Sequence, residues 1–238
     1  MAHQLGLFDH LTHRANLKHT RYGWLRLTPA YSVHLVEQIL LDHRSKNLTV
    51  LDPFCGTGTT SLVCAEKGLP SDTTDINPFL LWLTEAKTRL YTTEDADGFM
   101  TASDEVLRRI TTDSIDRGWA PPIHDIEKWW TKDVLHILSH IMYVIEGSRR
   151  VYSPRVLDLL KIAFCRVMIT HSSASFNHQS MSFKKLQNPS VFHATIDDIA
   201  ITWRAATRDI HNAAQSAIYE SPRVMHCDAR ELSILTSC

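Results

Sequence analysis

The apolar positions divide the chain into a few short strand-like runs and several long helix-like ones. Leu48-Thr49-Val50-Leu51 is a short apolar run that stops at Asp52 and is followed by Gly56 and Gly58; such a run, bounded by turn residues, predicts a buried strand. Val33, Val36, Ile39 and Leu40 before it lie near helical spacing, and Ser61 to Lys67 after it is a helix-like stretch. A second strand is predicted to end near Asp75. Asn77-Pro78 then opens a helix to Leu90, because Asn caps well and Pro is at home in the first helical turn. Asp104 to Arg117, Lys132 to Glu146, the run from Ser153-Pro154 to about Ile169, and His193 to Tyr219 repeat apolar residues at the helical period. Arg223 to Cys227 reads as one more short strand, closing on Asp228.

Strand, glycine-rich turn, helix, strand, helix is the alternation of an α/β sheet. A βα unit usually takes about 30 residues, yet about 150 separate Asp75 from Asp228. The predicted organisation is therefore an α/β sheet interrupted by a large helical insertion. Residues 1–92 form the N-terminal segment and first part of the sheet domain, 93–221 the insertion, and 222–238 the return strand. Loops at Gly118 to Pro122 and Phe176 to Pro189 divide the insertion.

Composition narrows the class. Hydrophobic content of 44% and charged content of 21% suit a soluble globular chain. No run of membrane-spanning length exists, and the first residues lack a signal peptide's charged start and apolar core. Five scattered cysteines suit a reducing cytoplasm rather than a disulfide framework. His136 and His140 share a helix face, but no H-E-x-x-H or C-x-x-C accompanies them, so no metal is expected. The net charge of −1 does not by itself argue for a polyanion partner. The distribution does more: Arg149, Arg150 and Arg155, and further on Lys184 and Lys185, lie in a stretch with one acid, Asp158. These five residues are candidate phosphate contacts, and the hydroxyl- and amide-rich segment Ser172 to Lys185 is a candidate nucleic-acid loop. Solvated helix faces and a capped surface loop are the competing readings.

The chemistry concentrates in Asp52-Pro53-Phe54-Cys55-Gly56-Thr57-Gly58-Thr59-Thr60. Two glycines let the backbone turn sharply and let a ligand press on bare main chain; the amides opening the next helix would face that ligand. Asp52 lies at the strand end, where open α/β sheets bind ligands. The turn lacks a P-loop lysine and the third glycine of a dinucleotide fingerprint. Asp75, with Ile76 and Asn77, stands where a carboxylate can meet ribose hydroxyls. The string resembles the D-P-F-x-G-x-G-T signature of S-adenosylmethionine-dependent amino-methyltransferases that act on DNA adenine or cytosine, and Asp75-Ile76-Asn77-Pro78 is similar to their second motif. Asp228-Ala229 resembles the segment whose Asp takes the cofactor's adenine amine.

The resemblance implies a partial Rossmann-like methyltransferase sheet with S-adenosylmethionine as cofactor. Asp75 would bind the ribose and Ile76 pack on the adenine, and the segment holding Trp24 and Thr28 would fold over the methionine end. It further implies double-stranded DNA as substrate and a restriction–modification setting. The family's catalytic (D/N/S)-P-P-(Y/F/W) tetrapeptide, which grips a flipped base, does not occur: Pro121-Pro122 lies between Ala120 and Ile123, and Asn188-Pro189 lacks the second proline. The expectation is a cofactor-binding half completed by a second polypeptide or by further chain; a pseudoenzyme is another reading. An RNA guanine-N2 methyltransferase fragment and a non-catalytic cofactor-binding interaction protein are the alternatives.

Overall fold

A computed structural model describes residues 20–25, 30–43, 48–112, 120–175, 182–183 and 194–231. The described elements run α1 (Val33–Asp42), β1 (Val50–Asp52), α2 (Thr59–Lys67), β2 (Ser71–Asp75), α3 (Pro78–Thr88), α4 (Thr93–Thr112), α5 (Lys132–Gly147), α6 (Pro154–Thr170), β3 (Ala174–Ser175), β4 (Ser182–Phe183), α7 (Ile196–Ala214) and β5 (Arg223–His226). They form two compact units, residues 1–90 with 216–238, and residues 91–215.

The first unit is built on a parallel sheet of order β1-β2-β5. This small sheet in a mostly helical α/β chain fits a partial Rossmann-like methyltransferase fold. Register is pinned where β2 meets β5: Asp72 pairs with Arg223 across the ladder, and the guanidinium meets both carboxylate oxygens at 2.9 and 3.0 Å. The core gathers Tyr22, Val36, Leu40, Leu62, Val63 and Cys64, with Leu48, Val50 and Ile218 against it. Asn77 caps α3 by accepting from the Phe79 amide, with Pro78 at the first position. The fully buried Arg21 donates to the carbonyls of Lys87, Arg89 and Ser216 at 2.9, 2.6 and 3.1 Å, a basic group at the carbonyl end of α3.

The second unit packs α4, α5, α6 and α7 around a core that includes Phe99, Val106, Ile141, Ile145, Leu159, Leu160, Ile199, Trp203 and Ile210. Its helix starts are written in short polar residues. Thr131 and Ser153 cap α5 and α6, and Thr195 with Asp198 forms a full capping box on α7. Helices α4 and α7 depart most from the sequence expectation. Helix α4 begins at Thr93, not Asp104, because Thr92 and Asp95 cap each other and Ala96, Phe99 and Ala102 already face the core. Helix α7 starts at Ile196 rather than His193, set by its capping box, and ends at Ala214 rather than Tyr219. Within the stretch read as loop, Ala174–Ser175 pairs antiparallel with Ser182–Phe183.

Candidate functional site

The parallel ladders set the carboxyl ends of β1, β2 and β5 side by side, so Asp52, Asp75 and the Cys227-Asp228 step share one edge of the sheet. The glycine turn is tied to that edge by main-chain and side-chain bonds. The Cys55 amide donates to the Thr74 carbonyl at 2.9 Å. The hydroxyls of Thr73 and Thr74 donate to the carbonyls of Asp52 and Pro53 at 3.1 and 3.0 Å. The Asp52 carboxylate accepts the Phe54 amide at 3.1 Å. Asp75 accepts the amides of Gly56 and Asn77 on its two oxygens, at 3.2 and 2.9 Å.

Gly56 and Gly58 both hold positive φ, 51° and 76°, a conformation that costs an L-residue about 1–2 kcal/mol. They differ in surroundings. A Cβ on Gly56 would make only an ordinary contact, 3.9 Å from the Phe54 carbonyl, whereas one on Gly58 would lie 2.7 Å from Thr84 Oγ1 on α3. Gly58 is the N-cap of α2 and gives its first amides no side-chain cap, the arrangement in which a helix start can bond a ligand instead. Thr57 and Thr59 are buried, while Pro53 and Thr60 are half-buried. Phe54 and Ile76, 72% and 66% exposed, set two apolar side chains at the strand ends. Bare main chain, apolar faces and carboxylates in one place fit a ligand with a flat ring, hydroxyls and a charged tail.

At the third strand end, the Cys227 amide donates to the Asp75 carbonyl at 3.3 Å, and His226 Nε2 lies 3.0 Å from the Ile76 carbonyl. Both oxygens of Asp228 accept from its own near neighbour Arg230. That side chain and the Arg230 amide hold the Asp228 carboxyl down to about 2. Ala229 is half-buried beside it. Trp24 is 1% exposed, with the Arg21 guanidinium 5.5 Å over its ring; it sits in the core of this unit. Thr28 lies outside the described residues.

Three residues that sequence reading did not single out support this edge. The Tyr31 hydroxyl donates to Asp52 at 3.0 Å and lies 2.6 Å from Thr60 Oγ1, and burial pushes it up to about 12. Thr84 backs Gly58 and donates to Cys55 Sγ at 3.5 Å. Lys87, one turn further along α3, is buried and donates to the carbonyls of Thr57 and Leu25 at 3.0 and 3.4 Å.

Burial pulls the Lys87 ammonium down to about 7 from 10.5. The unfolded chain therefore binds one more proton between those pH values, and stability should rise with pH across that window at up to about 1.4 kcal/mol per pH unit. Below about 7 both states are protonated and the full desolvation cost stands. Urea unfolding at pH 7 and 9.5 should show this rise in the wild type relative to Lys87→Met, a comparison in which the other titrating groups cancel. Parallel curves would contradict it.

In the second unit the candidate phosphate contacts are partly neutralised. Arg149 donates to Glu146 at 2.8 Å and Arg155 meets Asp95 at 3.4 Å, while Arg150 is exposed with no ion-pair partner among the described residues. Lys184 and Lys185 lie outside the described residues. Among the described residues no group of three His, Cys, Asp or Glu side chains could hold a metal ion, and no helix is long and apolar enough to cross a membrane.

Comparison with known proteins finds similarity around the glycine turn. Residues 12–85, from before the described segment to within α3, match the DNA methylase family of N6/N4 type. The type II methyltransferase M.AvaI of Nostoc sp. is 33% identical over 66 residues, which is 27% of this chain and 14% of that protein. M.MjaII of Methanocaldococcus jannaschii is 34% identical over 84 residues, 35% of this chain and 16% of that protein. M.BsoBI of Geobacillus stearothermophilus is 36% identical over 69 residues, 29% and 14%. The match thus spans only about a seventh of each relative's length. No solved structure matches the chain significantly. Residues 12–85, which hold both N-terminal motifs, are thus similar to DNA methylases, in line with the resemblance those motifs carry.

Proposed function

We propose that this chain is the S-adenosylmethionine-binding part of a DNA amino-methyltransferase of restriction–modification type, modifying N6 of adenine or N4 of cytosine. The observation that carries the reading is the convergence of the glycine turn, Asp75 and Asp228 at one sheet edge, in a chain whose first of these elements match the DNA methylase family. Bound there, S-adenosylmethionine supplies an electrophilic methyl group on a sulfonium centre. Asp75 is suited to accept from ribose hydroxyls, Ile76 and Phe54 to pack on the adenine, and Asp228 to take its amine once Arg230 turns aside. Gly56 and the start of α2 leave room for the methionine end. Asp52 is positioned by Tyr31.

Nothing in these 238 residues supplies the tetrapeptide that would grip a flipped base, and positioning is most of the rate in such a transfer. The tetrapeptide is assigned to polypeptide outside them, in a second chain or a continuation. The described sheet leaves β1 paired on one side only with Leu51 46% exposed, and an open strand edge is a place for another strand to add. The second unit contributes DNA contacts through Arg150, the Ser172–Lys185 segment, and Arg149 and Arg155 if they exchange carboxylate for phosphate.

The test is transfer of labelled methyl to duplex DNA. The purified chain should give none. Co-expression with a partner carrying the tetrapeptide should give turnover that falls, with a flatter salt dependence, when Lys184 and Lys185 are changed to Glu. Robust turnover by the lone chain, shown free of partner by mass spectrometry, would refute the need for that partner.

A further inference from the structure

Three of the supports of the glycine turn do different things. Thr84 limits the space at Gly58, and Asp75 holds the Gly56 amide. Lys87 is chemically the odd one. It is 2% exposed, no carboxylate among the described residues pairs with it, and its hydrogen bonds go to two main-chain carbonyls, Thr57 at 3.0 Å and Leu25 at 3.4 Å. Burying a cation this way is costly. A methionine of similar length would fill the same apolar volume but could not bond either carbonyl. The two carbonyls belong to segments far apart in sequence, the turn at 52–60 and the segment 20–25. The helix that carries Lys87 is itself anchored: Arg21, four residues before Leu25, holds the Lys87 and Arg89 carbonyls. The amino group at position 87 thus closes a ring of bonds running from segment 20–25 to the end of α3, along α3 to the turn, and back.

We propose that Lys87 is a positioning residue of the cofactor pocket: its buried side chain ties the Thr57 carbonyl inside the glycine turn to the Leu25 carbonyl, and so fixes the turn in its ligand-ready shape. This rests on reading the turn as the S-adenosylmethionine site. Lys87 touches the main chain that would cradle the cofactor, not the cofactor.

The experiment compares wild type, Lys87→Met and Lys87→Ala by amide hydrogen exchange without ligand and by calorimetric titration with S-adenosylhomocysteine. Both variants should expose the amides of residues 54–60 to exchange at least tenfold faster, and both should bind the ligand at least tenfold more weakly. Propylamine, but not 1-propanol, should restore both properties to Lys87→Ala, an outcome that a general loss of packing would not produce. Unchanged exchange at 54–60 in variants made from a wild type that binds the ligand overturns this inference and leaves the site assignment standing. A wild type that binds no ligand overturns the assignment, and this inference with it. Should neither variant fold, reductive methylation of the wild-type chain decides: bound ligand should slow modification of Lys87, and equal rates with and without it overturn the inference.

Discussion

Gly58→Ala should abolish binding of S-adenosylmethionine or its demethylated product. Two independent costs meet at this residue. Its φ of 76° is unfavourable for alanine, and the new methyl would sit 2.7 Å from Thr84 Oγ1 and 3.1 Å from two of its carbons. Thr84 is fully buried on α3 and has little room to withdraw, so the turn or the helix must shift. Together these should cost roughly 2–4 kcal/mol of stability, and the displaced turn should lose ligand affinity by at least a hundredfold. Gly56→Ala is the control for strain alone, since a methyl there would make no close contact; it should cost about 1–2 kcal/mol. Adding Thr84→Ala to Gly58→Ala should recover part of the lost stability. If Gly58→Ala binds as the wild type does, the close packing of turn on α3 is not what shapes the site.

Trp203→Ala should be the most damaging single change in the helical unit. The side chain is completely buried on α7, and its Nε1 donates to Ser103 Oγ at 2.9 Å. Truncating a buried tryptophan costs about 3–5 kcal/mol through the forfeited transfer energy and the cavity left behind. Trp203→Phe keeps most of the apolar volume but orphans the serine, which should cost about 1–3 kcal/mol. Urea unfolding should rank wild type above Trp203→Phe above Trp203→Ala. A loss below about 1 kcal/mol for the alanine variant would mean that α7 is not integral to this core.

How far the sequence reaches depends on what each element is made of. Elements with a local cause were legible: Asn77-Pro78 and Ser153-Pro154 announce helix starts that the caps of α3 and α6 confirm, and the apolar run before Asp52 leads into a strand, though β1 itself starts at Val50. The start of α4 was not, because Thr93 to Gly98 is polar and acidic and shows little apolar period until its few core residues are known. The β3–β4 pairing was missed for a related reason: strands of two residues in a hydroxyl-rich stretch carry no alternation to read. In the site, the Asp52–Thr60 turn and Asp75 were visible because a motif is contiguous. Tyr31 was not, since its bond to Asp52 spans 21 residues. Lys87 was hidden more deeply, because periodicity assigns a lysine to solvent, and only tertiary structure shows it beneath the turn.

The central claim is that the glycine turn and Asp75 bind S-adenosylmethionine. Calorimetric titration of the chain with S-adenosylhomocysteine, with and without a partner that completes the sheet, tests it most directly. The expected result is one site per chain in at least one of these states, weakened in Asp75→Ala by about 1–3 kcal/mol, the scale of removing one partner from a buried hydrogen bond. Absence of binding in both states, or binding indifferent to Asp75→Ala, would contradict the claim.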